Sequence, residues 1–592
     1  MKKREEIEEK YKWDLSVLCD NDKDFYQKLD KFKDYLKKFK AFEGKLNNKD
    51  SIYEYLKLDE EFSSFAEPVI LYAHLKTNEV LSDNSRQEMD EKISHILNEF
   101  SVETSFASSE LNKLPNDMLD DIIGDKKFND YSRTFEQIKE NKKHALSKSE
   151  EKLLSGMSFL GGFSSNMDML SDVDMKFGKV RDSKGVAHEL NHSTYSNLVR
   201  SSDRKLRKSA MQKMNGMYGQ YINVLSSNFI SQVKSDCYFA KVRKYKSALD
   251  RELKREEIEK EVYQTLIEEV SKNLDLLFSY FDIKVQILSV DKMCIYDTMV
   301  DVGKVGNKKY TYDEAIEIIK NALSPLGKDY TDLIERAKTE RWIDVYPNKD
   351  KSSGAFETAV YFRHPYVMTN FEGDLESIFT LAHELGHAMH SYYSNKTQPY
   401  AKASYPIFLA EIASTTNEML LINYLLSTTK DKSEKIALYN KLFDEVKGTI
   451  FRQTMFAEFE EKVHSLYEEG EALTKDRLCD IYYKLNQKYF GKVKLISQIK
   501  YEWARIPHFF NCFYVFKYAT GMICAITFAN KILSSEKGAV EKYKQFLSAG
   551  DSDKPVKTLQ KSGVDLLDKN TFTSCFTYLQ NMLDEWKKLI SK

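Results

Sequence analysis

The sequence has few residues that interrupt regular structure, and it lacks the features typical of membrane, secreted and nucleic-acid-binding proteins. Only nine prolines and 22 glycines occur among 592 residues, which favours long helices with few breaks. No apolar run is long enough to span a membrane, and no apolar segment near the first residue resembles a secretory signal. Basic and acidic residues number 89 and 91, so neither a nucleic acid nor a membrane surface is expected as a partner.

The cysteines are too few and too scattered for a disulfide framework. Seven occur, an odd number, and no two have the CxxC spacing of thiolate metal sites. We therefore expect reduced thiols and a cytoplasmic location. The chain is also longer than one hydrophobic core usually organises, so two or more packed lobes are predicted.

The hydrophobic pattern predicts a mostly α-helical protein with little sheet. Apolar residues such as Phe25, Leu29 and Phe32 recur at helical spacing. A hairpin turn is predicted at 182–185. Two β-prone runs at 359–362 and 366–371 predict a small sheet just before the chemical motif described next. Its edge can pair with an extended peptide, and a purely structural hairpin is equally compatible with the sequence.

The strongest chemical signal is an HExxH pattern at residues 383–387. Histidines four residues apart on a helix lie on one side, roughly 6 Å apart along the axis, so both rings can bind one metal ion. The pattern is typical of zinc sites in which the glutamate takes a proton from water. His383 and His387 are therefore predicted ligands of one zinc ion per chain, and Glu384 is the predicted general base and acid.

Such a site needs one more protein ligand and an open position for water. His390 shares the helix face but lies about 10 Å along the axis from His383, so a packing role is predicted for it. The metzincin pattern requires a histidine at position 393, where this chain has tyrosine.

A carboxylate from a following helix is the remaining source of the third ligand. Residues 409–420 read as that helix, with Glu411 and Glu418 seven residues apart on one face. Glu411 is the predicted ligand. Glu418 is predicted to bind the second ring nitrogen of a ligand histidine, although a solvated surface charge is also compatible with its position.

A polar aromatic segment lies far downstream, at residues 505–521. It contains His508 together with Tyr514 and Tyr518, which are four residues apart and predicted to share a helix face. Imidazole and phenol groups suit the stabilisation of an oxyanion during amide hydrolysis. The same segment, taken alone, is typical of an aromatic core helix, and both interpretations stay open at this point.

These motifs together resemble the oligoendopeptidase F branch of the thimet-oligopeptidase family of zinc metallopeptidases. The resemblance covers nearly the whole chain. Its motifs occur in the family's order: Tyr11–Ser16, Arg200–Arg204, Trp342–Tyr346, Ser353–Ala355, the HExxH segment extended to His390, Ala410–Thr415, Ile506–Phe509 and Tyr518–Gly521.

The resemblance implies a two-lobed helical molecule with a deep substrate channel that cleaves internal bonds of short oligopeptides. It implies an N-terminal helical lobe at 1–200 and a zinc-metallopeptidase domain at 201–592. The same likeness implies zinc held by His383, His387 and Glu411, with Glu384 as general base. It also implies that the family's substrate-binding histidine and tyrosines correspond to His508, Tyr514 and Tyr518 in this chain. Relatives often have further tyrosines where this chain has Phe510, Asn511 and Phe516.

Two other functions remain compatible with the sequence. A zinc carboxypeptidase would need a cation for the substrate's C-terminal carboxylate, for which Arg363, Arg452 and Arg505 are available. A peptide-binding scaffold without activity is the other, although every expected ligand and the general base are present. The sequence leaves open whether the protein is a monomer or a dimer.

Overall fold

A computed structural model describes residues 1–156, 161–303 and 308–591. Helices make up most of these residues, and the sheets are small, which confirms the prediction of a mostly α-helical fold. Among the described residues, no helix combines the length and the hydropathy that crossing a membrane requires. All seven cysteines are free thiols.

The described α-helices range from 4 to 31 residues in length. The α-helices, in chain order, are α1 (Asp22–Asp30), α2 (Phe32–Lys40), α3 (Lys49–Glu79), α4 (Asn84–Thr104), α5 (Phe106–Leu111), α6 (Asn116–Gly124), α7 (Ser132–Asn141), α8 (Lys148–Gly156), α9 (Phe163–Asp168), α10 (His192–Arg200), α11 (Arg204–Gln220), α12 (Ile222–Val242), α13 (Ala248–Arg255), α14 (Lys260–Lys272), α15 (Leu274–Leu288), α16 (Tyr312–Leu323), α17 (Lys328–Thr339), α18 (Leu375–Thr397), α19 (Tyr400–Ala403), α20 (Ile407–Thr428), α21 (Lys432–Glu445), α22 (Arg452–Glu468), α23 (Lys475–Phe490), α24 (Phe516–Leu533), α25 (Ala539–Leu547), α26 (Pro555–Lys561) and α27 (Lys569–Ser591). The strands are β1 (Lys179–Arg181), β2 (Ala187–Glu189), β3 (Ile343–Asp344), β4 (Phe356–Thr358) and β5 (Tyr366–Met368).

The chain forms two compact units, each built from three separate stretches. Unit 1 comprises Met1–Lys143, Asn307–Tyr424 and Lys531–Gly563, and unit 2 comprises His144–Gly306, Leu425–Asn530 and Val564–Lys592. The chain therefore leaves and re-enters each unit. The sequence predicts another division, a single boundary at residue 200 between an N-terminal helical lobe and a catalytic domain. That boundary stays a prediction.

Aromatic side chains fill much of the helical core of unit 1. Phe25, Leu29 and Phe32 are buried, as their helical spacing indicates. The rings of Phe62 on α3 and Phe100 on α4 stack with their centroids 4.3 Å apart. Burial of such large apolar side chains is the main stabilising contribution to a helical layer of this kind.

A three-stranded sheet in unit 1 has the strand order β3-β5-β4, with β3 parallel and β4 antiparallel to the central strand β5. The predicted run at 366–371 contains β5. The other predicted run is wrong: residues 359–362 form no strand, a turn lies at 361–362, and the pairing strand is β4, just before them. The turn contains Phe362 at a φ of 64°, a left-handed conformation outside the β region.

The described part of unit 2 is mostly helical and contains one hairpin. Strands β1 and β2 pair in antiparallel register, with Lys179 opposite Glu189. The backbone N–H groups of Lys184 and Val186 both donate to the side chain of Asp182, which stabilises the turn between the strands. The predicted hairpin is therefore confirmed.

Candidate metal centre

The HExxH residues lie in the middle of α18, a helix of unit 1. Its first turn is capped by Asp374, whose side chain accepts a hydrogen bond from the Ser377 N–H at 2.8 Å. The helix packs against β4 and α25, and apolar residues such as Leu381 and Leu385 are fully buried. The cap and the buried face fix the helix that presents the two histidines.

A second helix of the centre, α20, approaches α18 at Gly386. A Cβ atom at this glycine would lie 2.5 Å from Ser414 Cα and 2.8 Å from the Ala413 carbonyl oxygen, closer than van der Waals contact permits. The Asn417 side chain also donates to the Ala382 carbonyl at 3.0 Å. Glycine is therefore the residue that lets the two backbones meet here.

Three donor atoms converge where the helices meet. The Nε2 atoms of His383 and His387 are 3.2 Å apart, and Glu411 Oε2 lies 3.5 Å from each of them. Zinc bonds of about 2.0–2.1 Å at tetrahedral angles separate two ligand atoms by about 3.3–3.4 Å. The structure thus brings all three predicted ligands together at distances that fit a zinc ion.

Other side chains orient two of these donors. His383 Nδ1 donates to Glu418 Oε1 at 2.7 Å, which leaves Nε2 facing His387 and Glu411. The Ser414 hydroxyl donates to Glu411 Oε2 at 3.1 Å. The hydrogen bond to the ring nitrogen is the interaction that typically fixes the tautomer of a metal-binding histidine.

Electrostatics at the centre favour a bound cation. Burial lowers the pKa of His383, but the hydrogen bond to Glu418 and nearby carboxylates outweigh it and raise the pKa to about 9. The hydrogen bond and charge of His387 lower the pKa of Glu411 to about 2. Positive charge between these groups is therefore stabilised, and Glu411 is ionised across the physiological range.

Glu384 lies between the two histidines in sequence and is 7% exposed. Burial, together with the charges of Glu411 and Glu418, raises its pKa above the usual value for a glutamate, although both histidines act in the opposite direction. A carboxylate whose pKa moves toward neutrality accepts and returns a proton more readily near pH 7.

Sequence reasoning missed two residues beside the centre. Gly386 could have been recognised from the sequence, because glycine inside a helix lowers helix stability by about 1 kcal/mol relative to alanine and often marks a close packing contact. Glu357 on β4 has no sequence signal that indicates a role at the centre. Burial raises its pKa to about 7, while the charge of His387 and a hydrogen bond with Ser391 lower it, so only the folded structure brings this carboxyl to the centre.

His390 lies outside the set of donor atoms, in agreement with its predicted packing role. It is 1% exposed, and its ring stacks on Tyr405 with centroids 3.7 Å apart. Burial lowers its pKa to about 3, so the ring is a neutral packing element.

The downstream candidates lie in unit 2, whereas the centre lies in unit 1. The Tyr518 hydroxyl is 3.4 Å from His508 Nε2, and the rings of Tyr514 and Tyr518 have centroids 5.4 Å apart. Tyr514 precedes α24, which begins at Phe516, so the prediction that both tyrosines share a helix face is wrong. The three side chains nevertheless form one cluster.

Comparisons with known proteins identify the family. A family model described as peptidase family M3 matches residues 197–577, and one described as oligopeptidase F matches residues 110–177. Oligopeptidase PepF of Bacillus subtilis is 35% identical over 100% of this chain and 88% of its own length. The group B oligopeptidase PepB of Streptococcus agalactiae is 37% identical over 100% of this chain and 98% of its own length.

Solved structures give the same result for the fold. A protein from Chlamydophila abortus superposes with a TM-score of 0.96 at 34% identity, covering 99% of this chain and 100% of that one. An oligoendopeptidase F from Enterococcus faecium superposes with a TM-score of 0.73 at 32% identity, covering 96% and 99% of the two chains.

Proposed function

Because the chain belongs to peptidase family M3, in its oligoendopeptidase F group, and is therefore a metalloendopeptidase, we propose that it uses zinc to cleave short oligopeptides. One observation carries the choice of metal. Two imidazole nitrogens and one carboxylate oxygen lie 3.2–3.5 Å apart, and this donor set and spacing suit a catalytic zinc site with an open position.

In this proposal, His383, His387 and Glu411 hold the zinc ion. When bound, zinc supplies a Lewis acid that lowers the pKa of water and polarises a carbonyl. Glu384 takes the proton of the attacking water and later gives it to the nitrogen of the departing amine. Its burial and raised pKa support both transfers.

The sheet beside α18 supports an extended peptide as substrate. Strand β4 is an edge strand, since β5 is the only strand of the described residues that pairs with it, and it packs against α18. A peptide that adds to this edge gains backbone hydrogen bonds regardless of its sequence. Such binding suits an enzyme for varied short peptides.

The arginines that a carboxypeptidase would need are already engaged. Arg452 pairs with Glu502 at 3.0 Å and Arg505 with the same carboxylate at 3.7 Å. Arg363 donates to the backbone carbonyls of Val17 and Phe362. These contacts favour cleavage of internal bonds over release of C-terminal residues.

Mass spectrometry of the products tests the substrate class. The zinc-loaded enzyme is expected to convert an unblocked decapeptide into internal fragments and to leave a folded globular protein intact. A ladder of products that differ by one C-terminal residue contradicts the proposal, and so does zinc-loaded protein that hydrolyses no peptide of a mixed library. The latter result favours a binding scaffold.

Replacing Glu418 with glutamine is expected to weaken zinc binding about 10–100-fold. The substitution removes the charge that holds His383 through its Nδ1 hydrogen bond. Competition with a chelator measures the affinity, and excess zinc is expected to restore most of the turnover. Unchanged affinity would mean that Glu418 is only a surface charge.

The cluster in unit 2 supplies a further prediction, which rests on the family resemblance. We propose that His508 and a neighbouring tyrosine stabilise the oxyanion, so His508→Ala is expected to lower kcat about 10²–10³-fold without changing zinc affinity. Tyr514→Phe and Tyr518→Phe, measured side by side, identify the phenol involved by the larger loss. Wild-type rates in all three variants refute the role.

A further inference from the structure

A second group of potential metal ligands lies in unit 2. It consists of Asp236 on α12, His464 on α22 and Cys512 in the segment before α24. One donor atom of each lies within 4.8 Å of the others. Asp236 and His464 are 6% and 2% exposed, and Cys512 is partly exposed.

The remaining polar atoms of this Asp-His-Cys cluster are already occupied. His464 Nδ1 donates to the Glu460 carbonyl at 2.8 Å, so the proton is on Nδ1 and the lone pair is on Nε2. Asp236 Oδ1 accepts from the Gln232 side chain at 2.9 Å. Asp236 Oδ2 is buried and has no hydrogen-bond partner among the residues that the structure describes.

Two of the separations among the three remaining atoms match those of zinc ligands, and the third pair lies within 4.8 Å. His464 Nε2 lies 3.5 Å from Asp236 Oδ2 and 3.6 Å from Cys512 Sγ. Bonds of about 2.1 Å to nitrogen and about 2.3 Å to sulfur place those atoms about 3.6 Å apart at a tetrahedral angle. The distances therefore fit one ion as well as they fit a weak S–H···N hydrogen bond.

The surroundings of the cluster are acidic. Glu460 is fully buried, and one of its oxygens accepts from the Phe513 N–H at 2.9 Å. Burial raises the pKa of Cys512, and the charges of Asp236 and Glu460 add to this effect, while Arg251 acts against it. A buried aspartate and a buried glutamate close together are costly unless a cation or a proton compensates them.

We propose that Asp236, His464 and Cys512 bind a second divalent cation of thiophilic character, such as Zn²⁺, separate from the metal of the HExxH motif. Carboxylate, neutral imidazole and thiolate together suit zinc better than magnesium or calcium. On binding, the Cys512 thiol loses its proton to solvent, and the Sγ–metal bond takes the place of the S–H bond.

The position of this site gives it a structural role. The ion joins α12 and α22 to the segment at residues 507–514, which also contains His508 and Tyr514. Metal binding would therefore restrict the segment that presents both side chains. Nothing in this role requires the ion to contact a substrate.

Cobalt substitution tests the site without measuring hydrolysis. A cobalt–thiolate bond gives a near-ultraviolet charge-transfer band, and the HExxH centre has no sulfur ligand to produce one. The wild-type protein loaded with Co²⁺ is expected to show the band, and Cys512→Ala is expected to lose it. Cys237→Ala is the matched control, because Cys237 follows Asp236 on α12 but its side chain interacts with Glu468.

Elemental analysis after loading with Zn²⁺ provides the second measurement. Wild-type protein and Cys237→Ala are expected to retain one zinc equivalent more than Cys512→Ala, and Asp236→Asn is expected to bind this equivalent at least tenfold more weakly. Absence of the charge-transfer band from cobalt-loaded wild-type protein overturns the proposal even if the variants fail to fold. Persistence of the band in Cys512→Ala also overturns it.

Discussion

Glu384→Gln is expected to lower turnover by about three orders of magnitude or more while the protein keeps its fold and its metal. Glutamine has nearly the same shape as glutamate but accepts no proton, so both proton transfers assigned to this side chain are lost. The metal donors are on other residues, His383, His387 and Glu411. The expected loss is therefore in kcat, with little change in KM.

Steady-state kinetics on a quenched fluorescent peptide, combined with elemental analysis, measure this effect. Glu372→Gln is a suitable control, since Glu372 is an exposed glutamate just before α18. It is expected to retain wild-type turnover. Cleavage by Glu384→Gln at a near-normal rate, with zinc bound, would refute the assigned role of Glu384.

Gly386→Ala is expected to cause the second large effect, the loss of metal binding. The added methyl group would lie 2.5 Å from Ser414 Cα, and this neighbour is backbone, which cannot rotate away. Overpacking of this kind costs about 1–3 kcal/mol or more. Separation of α18 from α20 also moves Glu411 away from the two histidines, and a shift of about 1 Å in a reacting site can cost 10²-fold in rate.

Gly124→Ala is the matched control, because Gly124 ends α6 in the same unit and a Cβ there meets no atom within 4 Å. Thermal denaturation and zinc titration of both variants are the measurements. Gly124→Ala is expected to behave as wild type, and Gly386→Ala to bind zinc more weakly and to lose about 10²-fold or more in rate. Equal zinc affinity of the two variants would show that the contact between the helices does not set the ligand geometry.

The metal centre could be predicted from sequence because its chemistry is local. His383 and His387 occupy consecutive turns of one helix, and helical geometry alone places them on one face, with Glu384 next to the first of them. Glu411 followed from the need for another ligand and from the next helix along the chain. The structure brings its carboxylate within 3.5 Å of both histidines, although the helix crossing itself depends on Gly386.

Tertiary contacts explain the parts that could not be predicted. Tyr514 lies outside α24 because the chain just before it is held differently: Phe513 has a φ of 52°, and its N–H donates to buried Glu460. The spacing of the two tyrosines can be read from the sequence, but the contact with Glu460, more than fifty residues away, cannot. In the same way, Asp236, His464 and Cys512 have no recognisable spacing, since they come from three distant parts of the chain.

The discontinuous construction of unit 1 has a consequence for protein synthesis. Helix α18 packs against α25, and His390 contacts Phe546 at a ring separation of 5.0 Å. A ribosome therefore has to synthesise residues 539–547 before the HExxH helix gains this support. A chain that stops before α25 therefore lacks one of the packing contacts that hold α18.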